Sequence, residues 1–140
     1  MMVLDTNVLS ELMRPEPDPR VVDWLDRQDA AWVTISAITV AEILHGIERL
    51  PDGRRKAGFA AMAAAMFEED FAGRILPFDS HAAAHYAEQV AASESRGRPV
   101  HMADAQIAAI CLQHGAVLAT RNIKDFETLG ITTLNPWEVA

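Results

Sequence analysis

Met2-Val3-Leu4-Asp5-Thr6-Asn7-Val8-Leu9-Ser10-Glu11-Leu12-Met13 joins a short apolar run to an acid and then to a helix-compatible segment. Met2 to Leu4 reads as a buried strand, with Asp5 at its end. A carboxylate beside a core is costly, so such a group is usually paired, protonated or metal-bound. Asp5 can meet that demand as the cap of the helix that follows, or as part of a site.

The same alternation continues outward. Arg14 to Pro19 holds three prolines and must be a loop. Val21, Val22, Trp24 and Leu25 suit a short helix, with Asp18 before Pro19 as its cap. Trp32-Val33-Thr34-Ile35 is aromatic and β-branched, the pattern of a strand. Ser36 then caps a helix to about Leu50, broken by Pro51-Asp52-Gly53. Arg54 to Asp70 contains no strong breaker and reads as one helix, closed by Gly73. Arg74 to Phe78 is a third strand with Pro77 near its end. Asp79 or Ser80 caps a helix to about Ser95, and Arg96-Gly97-Arg98-Pro99 forms a loop. Met102 to His114 is a helix with Gly115 as its C′ residue. Val117 to Thr120 is a fourth strand and Ile131 to Leu134 a fifth, before Asn135-Pro136. Strands alternating with helices predict a three-layer α/β/α sandwich with a mainly parallel central sheet. With no repeat or linker, residues 1–140 form a single domain.

The chain has 140 residues, half of them apolar, enough for one real core. Its formal charge of −8 argues against a passive nucleic-acid binder, which would carry a basic footprint. It does not argue against a nuclease, whose clustered acids add to the negative total, and it suits a basic protein partner. The one cysteine, Cys111, sits among Ile107, Ala108, Ile110 and Leu112 and reads as a buried thiol in a reducing cytoplasm. No apolar run is long enough for a bilayer, and no basic segment precedes the first one, so neither a membrane span nor a signal peptide is expected.

Two further acids share the setting of Asp5. Glu42 lies within Ile38-Thr39-Val40-Ala41-Glu42-Ile43-Leu44, and Asp104 within His101-Met102-Ala103-Asp104-Ala105-Gln106-Ile107. Each has a plain structural explanation. Glu42 falls off the centre of the stripe Val40, Ile43, Leu44, Ile47 and can be a solvated glutamate. Asp104 in a first turn is favoured by the helix dipole. Yet Gly46, one turn beyond Glu42, is unfavourable in a helix interior, so something is expected to approach closely there. Ligands of open parallel sheets bind beyond the carboxyl ends of the strands. Asp5, Thr120, Arg121 and Asn122 all follow such ends, and Ser36 sets the helix of Glu42 on the same side. If the fold brings the three acids together, a divalent cation neutralises them, with a neutral oxygen from Asn122 as a further ligand. Such an ion activates water and polarises phosphoryl oxygens, which leads to phosphodiester hydrolysis.

Four segments in order resemble a known family. They are Val3-Leu4-Asp5-Thr6-Asn7-Val8-Leu9-Ser10-Glu11, Ser36 to Ile43 with Gly46, Asp104-Ala105-Gln106-Ile107-Ala108-Ala109, and Leu118 to Phe126, with Leu134-Asn135-Pro136-Trp137 closing the chain. Over its whole length the chain resembles PIN-domain ribonucleases of the VapC-like toxin group. That resemblance implies a PIN-like fold and RNA cleavage with Mg²⁺ or Mn²⁺, leaving 5′-phosphate and 3′-hydroxyl ends. It implies metal binding by Asp5, Glu42 and Asp104, with Asp5 and Asp104 touching the ion most directly. Thr6 and Thr120 would orient Asp5 or a water. Asn122 stands where many members carry a fourth acid, which leaves a second metal open. A homodimer and a cognate antitoxin are implied, the antitoxin's C-terminal segment blocking the site and DNA being reached only through it.

Other residues take secondary roles. Arg121 can hold a substrate phosphate, and Arg96 and Arg98 can contact RNA. Asp125 is assigned to stabilising its loop. His81 and His85 have zinc-compatible spacing but no evident third ligand, so they read as surface residues, as does His45. His101 can cap its helix or line the site. Met62 and Met66 suit core or dimer packing; Trp24 and Trp32 read as core, and Trp137 as cover for a sheet edge. Two alternative functions stand: an aspartate-nucleophile phosphatase built on Asp5, disfavoured by Asn7 where a second Asp belongs, and a non-catalytic module that only binds a DNA-binding partner.

Overall fold

The computed structural model describes residues 1–139. Five strands, β1 (Met2–Leu4), β2 (Val33–Ser36), β3 (Ile75–Leu76), β4 (Val117–Ala119) and β5 (Thr133–Leu134), form one sheet in the order β3-β2-β1-β4-β5. Every pairing is parallel. Among the described residues six α-helices flank it: α1 (Thr6–Leu12), α2 (Pro19–Asp26), α3 (Ala37–Glu48), α4 (Arg54–Ala65), α5 (Ser80–Ser95) and α6 (Met102–His114).

Side-chain alternation divides the core into two faces. Leu4, Val33, Ile35 and Ala119 join Val8, Leu9, Val21, Trp24, Ile43 and Met66 on one side. Val3 and Leu118 join Ile107, Ala108, Cys111, Phe126 and Leu129 on the other. Ala82 of α5 packs against Ala109 and Ile110 of α6, the two small alanines letting the helices meet. The result is the expected three-layer sandwich. Caps fall where the sequence places them: Asp18 accepts from Arg20 N, Ser36 from Thr39 N and Asp79 from Ala82 N. Gly115 ends α6 at φ 61°, a left-handed geometry that favours glycine. Cys111 is buried and its thiol is pushed up to about 12, which leaves it inert. No helix among the described residues is long and apolar enough to cross a membrane.

Four expectations need correction. Trp32 is 59% exposed, because Asp29 caps a 3-10 turn over Ala30–Trp32 and the strand starts only at Val33. Leu44 is 44% exposed; α3 buries Thr39, Ile43 and Ile47 instead, a stripe rotated from the one expected. The third strand is only two residues long, since Pro77 has no N–H to extend the ladder. The helix from Arg54 loses its α geometry after Ala65 and ends in a π turn, Met66–Asp70. The wider turn returns Phe71 to the face of Met66, with Phe71 N–H donating to the Met66 carbonyl, so both are buried while Met62 is 45% exposed.

Candidate active site

The strand order reverses direction between β1 and β4, since the chain grows one way through β2 and β3 and the other way through β5. A crevice opens beyond the carboxyl ends of two such strands. Asp5 and Thr120 are the first residues past those ends. Asp5 N–H still bonds the Ala119 carbonyl at 2.9 Å, which ties the two positions together.

Asp5 is 5% exposed. Its Oδ1 accepts from Thr6 N at 2.8 Å, so it does cap α1. Its Oδ2 accepts from the Thr120 hydroxyl at 2.8 Å and the Asn7 amide at 3.4 Å. The capping and site readings therefore hold together. Burial raises the carboxyl above the ordinary Asp range; the bonds from Thr120 and Thr6 offset this in part, and the charges of Glu42 and Asp125 add to it. Thr120, fully buried, also accepts from Asn122 N at 3.0 Å and Asn7 Nδ2 at 3.3 Å.

Glu42 reaches the same place from α3. Its Oε1 accepts from the Thr6 hydroxyl at 2.7 Å, and Thr6 Oγ1 lies 3.0 Å from the buried Thr39 hydroxyl. Glu42 itself is exposed. Asp104 enters from the first turn of α6, half-buried, its carboxyl pushed up to about 6. Burial is the main cause, followed by the charges of Asp5 and Asp125, with His101 opposing and Glu42 adding. Asp5, Glu42 and Asp104 line one pocket of about 490 Å³, together with Arg121 and Asn122.

Among the described residues no group of three His, Cys, Asp or Glu side chains is drawn tightly enough to grip a metal ion as it stands. The donor set still suits a hard cation. Two carboxyls carry raised affinities for protons because they are buried beside other negative charges, and a divalent ion reverses that cost. Asn122 contributes its backbone N–H to the network, while its exposed side chain makes no capping bond. The Arg121 guanidinium lies 4.9 Å over the Trp137 ring, which braces it at the pocket wall. Trp137 is 5% exposed and packs in the main core, the cluster against which Leu134 of the edge strand β5 also packs.

Asn7 was not assigned a role from sequence, yet it holds the site together. It donates to Asp5 and Thr120, and its Oδ1 accepts from Arg121 N at 3.2 Å, stitching the start of α1 to the loop after β4. Glu11 and Arg14 also line the pocket. Buried Glu11 is already committed, accepting from Arg14 at 3.2 Å and from Asp18 N at 2.9 Å. An acid on the apolar helix α1, three residues before an arginine, was the available signal. Asp125 lines a cleft next to the acid pocket, and its charge bears on both Asp5 and Asp104. Gly46 does not have the expected close neighbour: a Cβ there would meet nothing within 4 Å. His45, His81 and His85 do not line the pocket, and Arg98 lines a separate cleft.

The chain matches the PIN domain model over residues 2–131. It is 42% identical over 140 residues to the VapC ribonuclease Y4jK of Sinorhizobium fredii, covering all of both chains. It is 42% identical over 137 residues to the toxin FitB of Neisseria gonorrhoeae, covering 98% of this chain and 99% of the relative. Among solved structures, that of FitAB bound to an IR36 DNA fragment aligns with a TM-score of 0.93 at 41% identity, covering 100% of this chain and 98% of that one.

Proposed function

The chain belongs to the PIN-domain family, and from that premise we propose that it is a Mg²⁺- or Mn²⁺-dependent endoribonuclease serving as the toxin of a toxin–antitoxin pair. The observation that carries the reading is the convergence of Asp5, Glu42 and Asp104, distant in sequence, on one pocket at the β1–β4 crevice. These three would hold the cation, Asp5 and Asp104 most directly. A bound ion of this kind offsets their charge, activates water and polarises a phosphoryl oxygen.

The chain's own groups do the positioning. Thr6 N–H and the Thr120 hydroxyl each take one oxygen of Asp5, which fixes the carboxylate plane. The Thr6 hydroxyl holds Glu42 toward the same centre. Arg121, braced on Trp137, offers its guanidinium to a substrate phosphate. Water attacking phosphorus in line with the departing 3′ oxygen leaves a 5′-phosphate and a 3′-hydroxyl. The relatives' names and complexes support a cognate antitoxin as partner. A partner's Arg or Lys entering the acidic pocket is the natural blocking device. With a net charge of −8, DNA is reached through that partner. A cytoplasmic homodimer completes the proposal.

Purified chain with Mn²⁺ should cleave RNA, and Asp5→Asn or Asp104→Asn should lower the rate by roughly 10²-fold or more while the fold is retained. Equal cleavage by both variants would trace the activity to a contaminating nuclease and remove the mechanism.

A further inference from the structure

Asp104 is a wall of two concavities. On one side lies the pocket of Asp5 and Glu42; on the other lies a cleft of about 230 Å³ lined by Arg98, His101, Lys124, Asp125 and Thr128. The loop after β4 supplies a cation to each. Arg121 serves the first, and Lys124, three residues on, serves the second. Most neighbouring positive charges are spent locally: Arg14 on Glu11, Arg20 on Asp18, and Arg98 on Glu127 at 3.3 Å. The exposed Lys124 ammonium has no hydrogen bond or ion pair among the described residues. His101 stands at the head of α6 with no side-chain cap bond, close enough for its charge to bear on Asp104.

We infer that the Lys124–His101 cleft is a subsite for the RNA strand, holding the phosphate that neighbours the one seated over Asp5 and Asp104. The inference rests on the ribonuclease reading above and extends it to a substrate path. A polynucleotide whose scissile phosphate lies in the acid pocket must leave that pocket, and Asp104 is the shared wall. Asp104 and Asp125 repel a free anion here, so the cleft is a poor trap for inorganic phosphate. A phosphate tethered to an already seated nucleotide arrives at high effective concentration, and one unspent ammonium with a histidine ring is then enough to hold it. Lys124 is thus a positioning residue, acting on where the strand lies and not on the bond that breaks.

The test is steady-state cleavage of a short mixed-sequence single-stranded RNA with Mn²⁺ by the full chain. Lys124→Gln should raise KM roughly threefold to tenfold while kcat stays within about twofold. The same substitution on an Asp5→Asn background, read by fluorescence anisotropy of that RNA, should reduce the slope of log affinity against log salt by roughly 0.7. Lys56→Gln, on α4 and paired with Glu48 and Asp52, should leave both readings unchanged. An unchanged KM and salt slope in Lys124→Gln, with cleavage by the parent chain intact, would overturn the subsite and leave the ribonuclease reading standing. Absence of cleavage by the parent would overturn both. A fall in kcat at constant KM would place Lys124 in the chemistry and also refute a binding role.

Discussion

Helix α1 separates two concavities of contrasting construction. Ser10, Glu11 and Arg14 face the acid pocket, whereas Leu9, Leu12 and Met13 face a groove of about 710 Å³ completed by Leu25, Val33, Met66 and Phe71. In the groove, attraction scales with buried apolar area, so neighbouring side chains share the work. In the acid pocket each contact is singular: one hydroxyl for Asp5, one for Glu42, one amide linking Asp5, Thr120 and Arg121. The groove side stabilises the fold, while the pocket side carries buried negative charge that disfavours it. Substitutions on the two sides should therefore separate stability from activity.

The largest separation is expected at Leu9, which is fully buried on the groove side of α1. Leu9→Ala should cost about 2–5 kcal/mol in denaturant unfolding, as a cavity-forming change in a packed core. Mn²⁺ affinity of the molecules that remain folded should be unchanged by calorimetry. A parallel loss of affinity would mean that the two sides of α1 are mechanically coupled. Thr120→Val tests the opposite side. It removes the donor to Asp5 and the acceptor for Asn122 N, so cleavage should fall about 10–100-fold, the usual consequence of losing a group that orients a ligand. A drop in stability without a drop in rate would reduce Thr120 to a structural hydroxyl.

Asp104 sharpens the contrast through pH. Burial and the neighbouring charges push its carboxyl up to about 6 in the fold, against 3.8 for an ordinary aspartate. Between those values the folded chain holds the extra proton, so this group's contribution to stability is greatest in acid and is lost as pH rises through about 6. The side chain is half exposed, and solvent screening limits the effect to about 1 kcal/mol. For the metal-free chain, Tm should drop by a few degrees more between about pH 5 and about pH 8 than it does for Asp104→Asn. Mn²⁺ should offset the drop by binding the folded state, with affinity weakening below about pH 6 as protons compete. Identical pH profiles for the two chains would show that burial does not raise the Asp104 carboxyl in the fold.

The same contrast explains what was legible in advance. The strand-acid-helix pattern at Asp5, the cap at Ser36 and the C′ glycine at Gly115 are local, and each acts through a near neighbour in sequence. Asp104 and Glu42 stood out because acids interrupt apolar helices. Asn7 did not stand out. Its role needs Thr120 and Arg121, 113 and 114 positions away, and only the parallel pairing of β1 with β4 brings them together. Trp32 misled because an aromatic next to β-branched residues looks like strand interior, while the 3-10 turn capped by Asp29 still includes it. Leu44 misled because Thr39, an apparently polar position, is the one the core takes, its hydroxyl satisfied by Ser36 and Thr6. The π turn has no compositional marker; it follows from burying Met66 and Phe71 together.

Glu42 gives the smallest expected effect and the finest test. Unlike Asp5, it is exposed, so its carboxylate keeps most of its hydration and, among the described residues, accepts one hydrogen bond, from the Thr6 hydroxyl. Glu42→Gln preserves an oxygen to accept that bond and removes only the charge. Stability should therefore change by less than about 0.5 kcal/mol, as for an ordinary surface position. Mn²⁺ affinity should fall roughly threefold to tenfold, because one of the three negative charges proposed to hold the ion is lost in a region where water still screens it. Coupling decides the matter: in the double variant with Thr6→Val, the Thr6 change should cost little further affinity if the hydroxyl acts by aiming the Glu42 charge. An unchanged titration in Glu42→Gln would return this residue to the solvated surface of α3 and leave Asp5 and Asp104 as the ion's only acidic ligands.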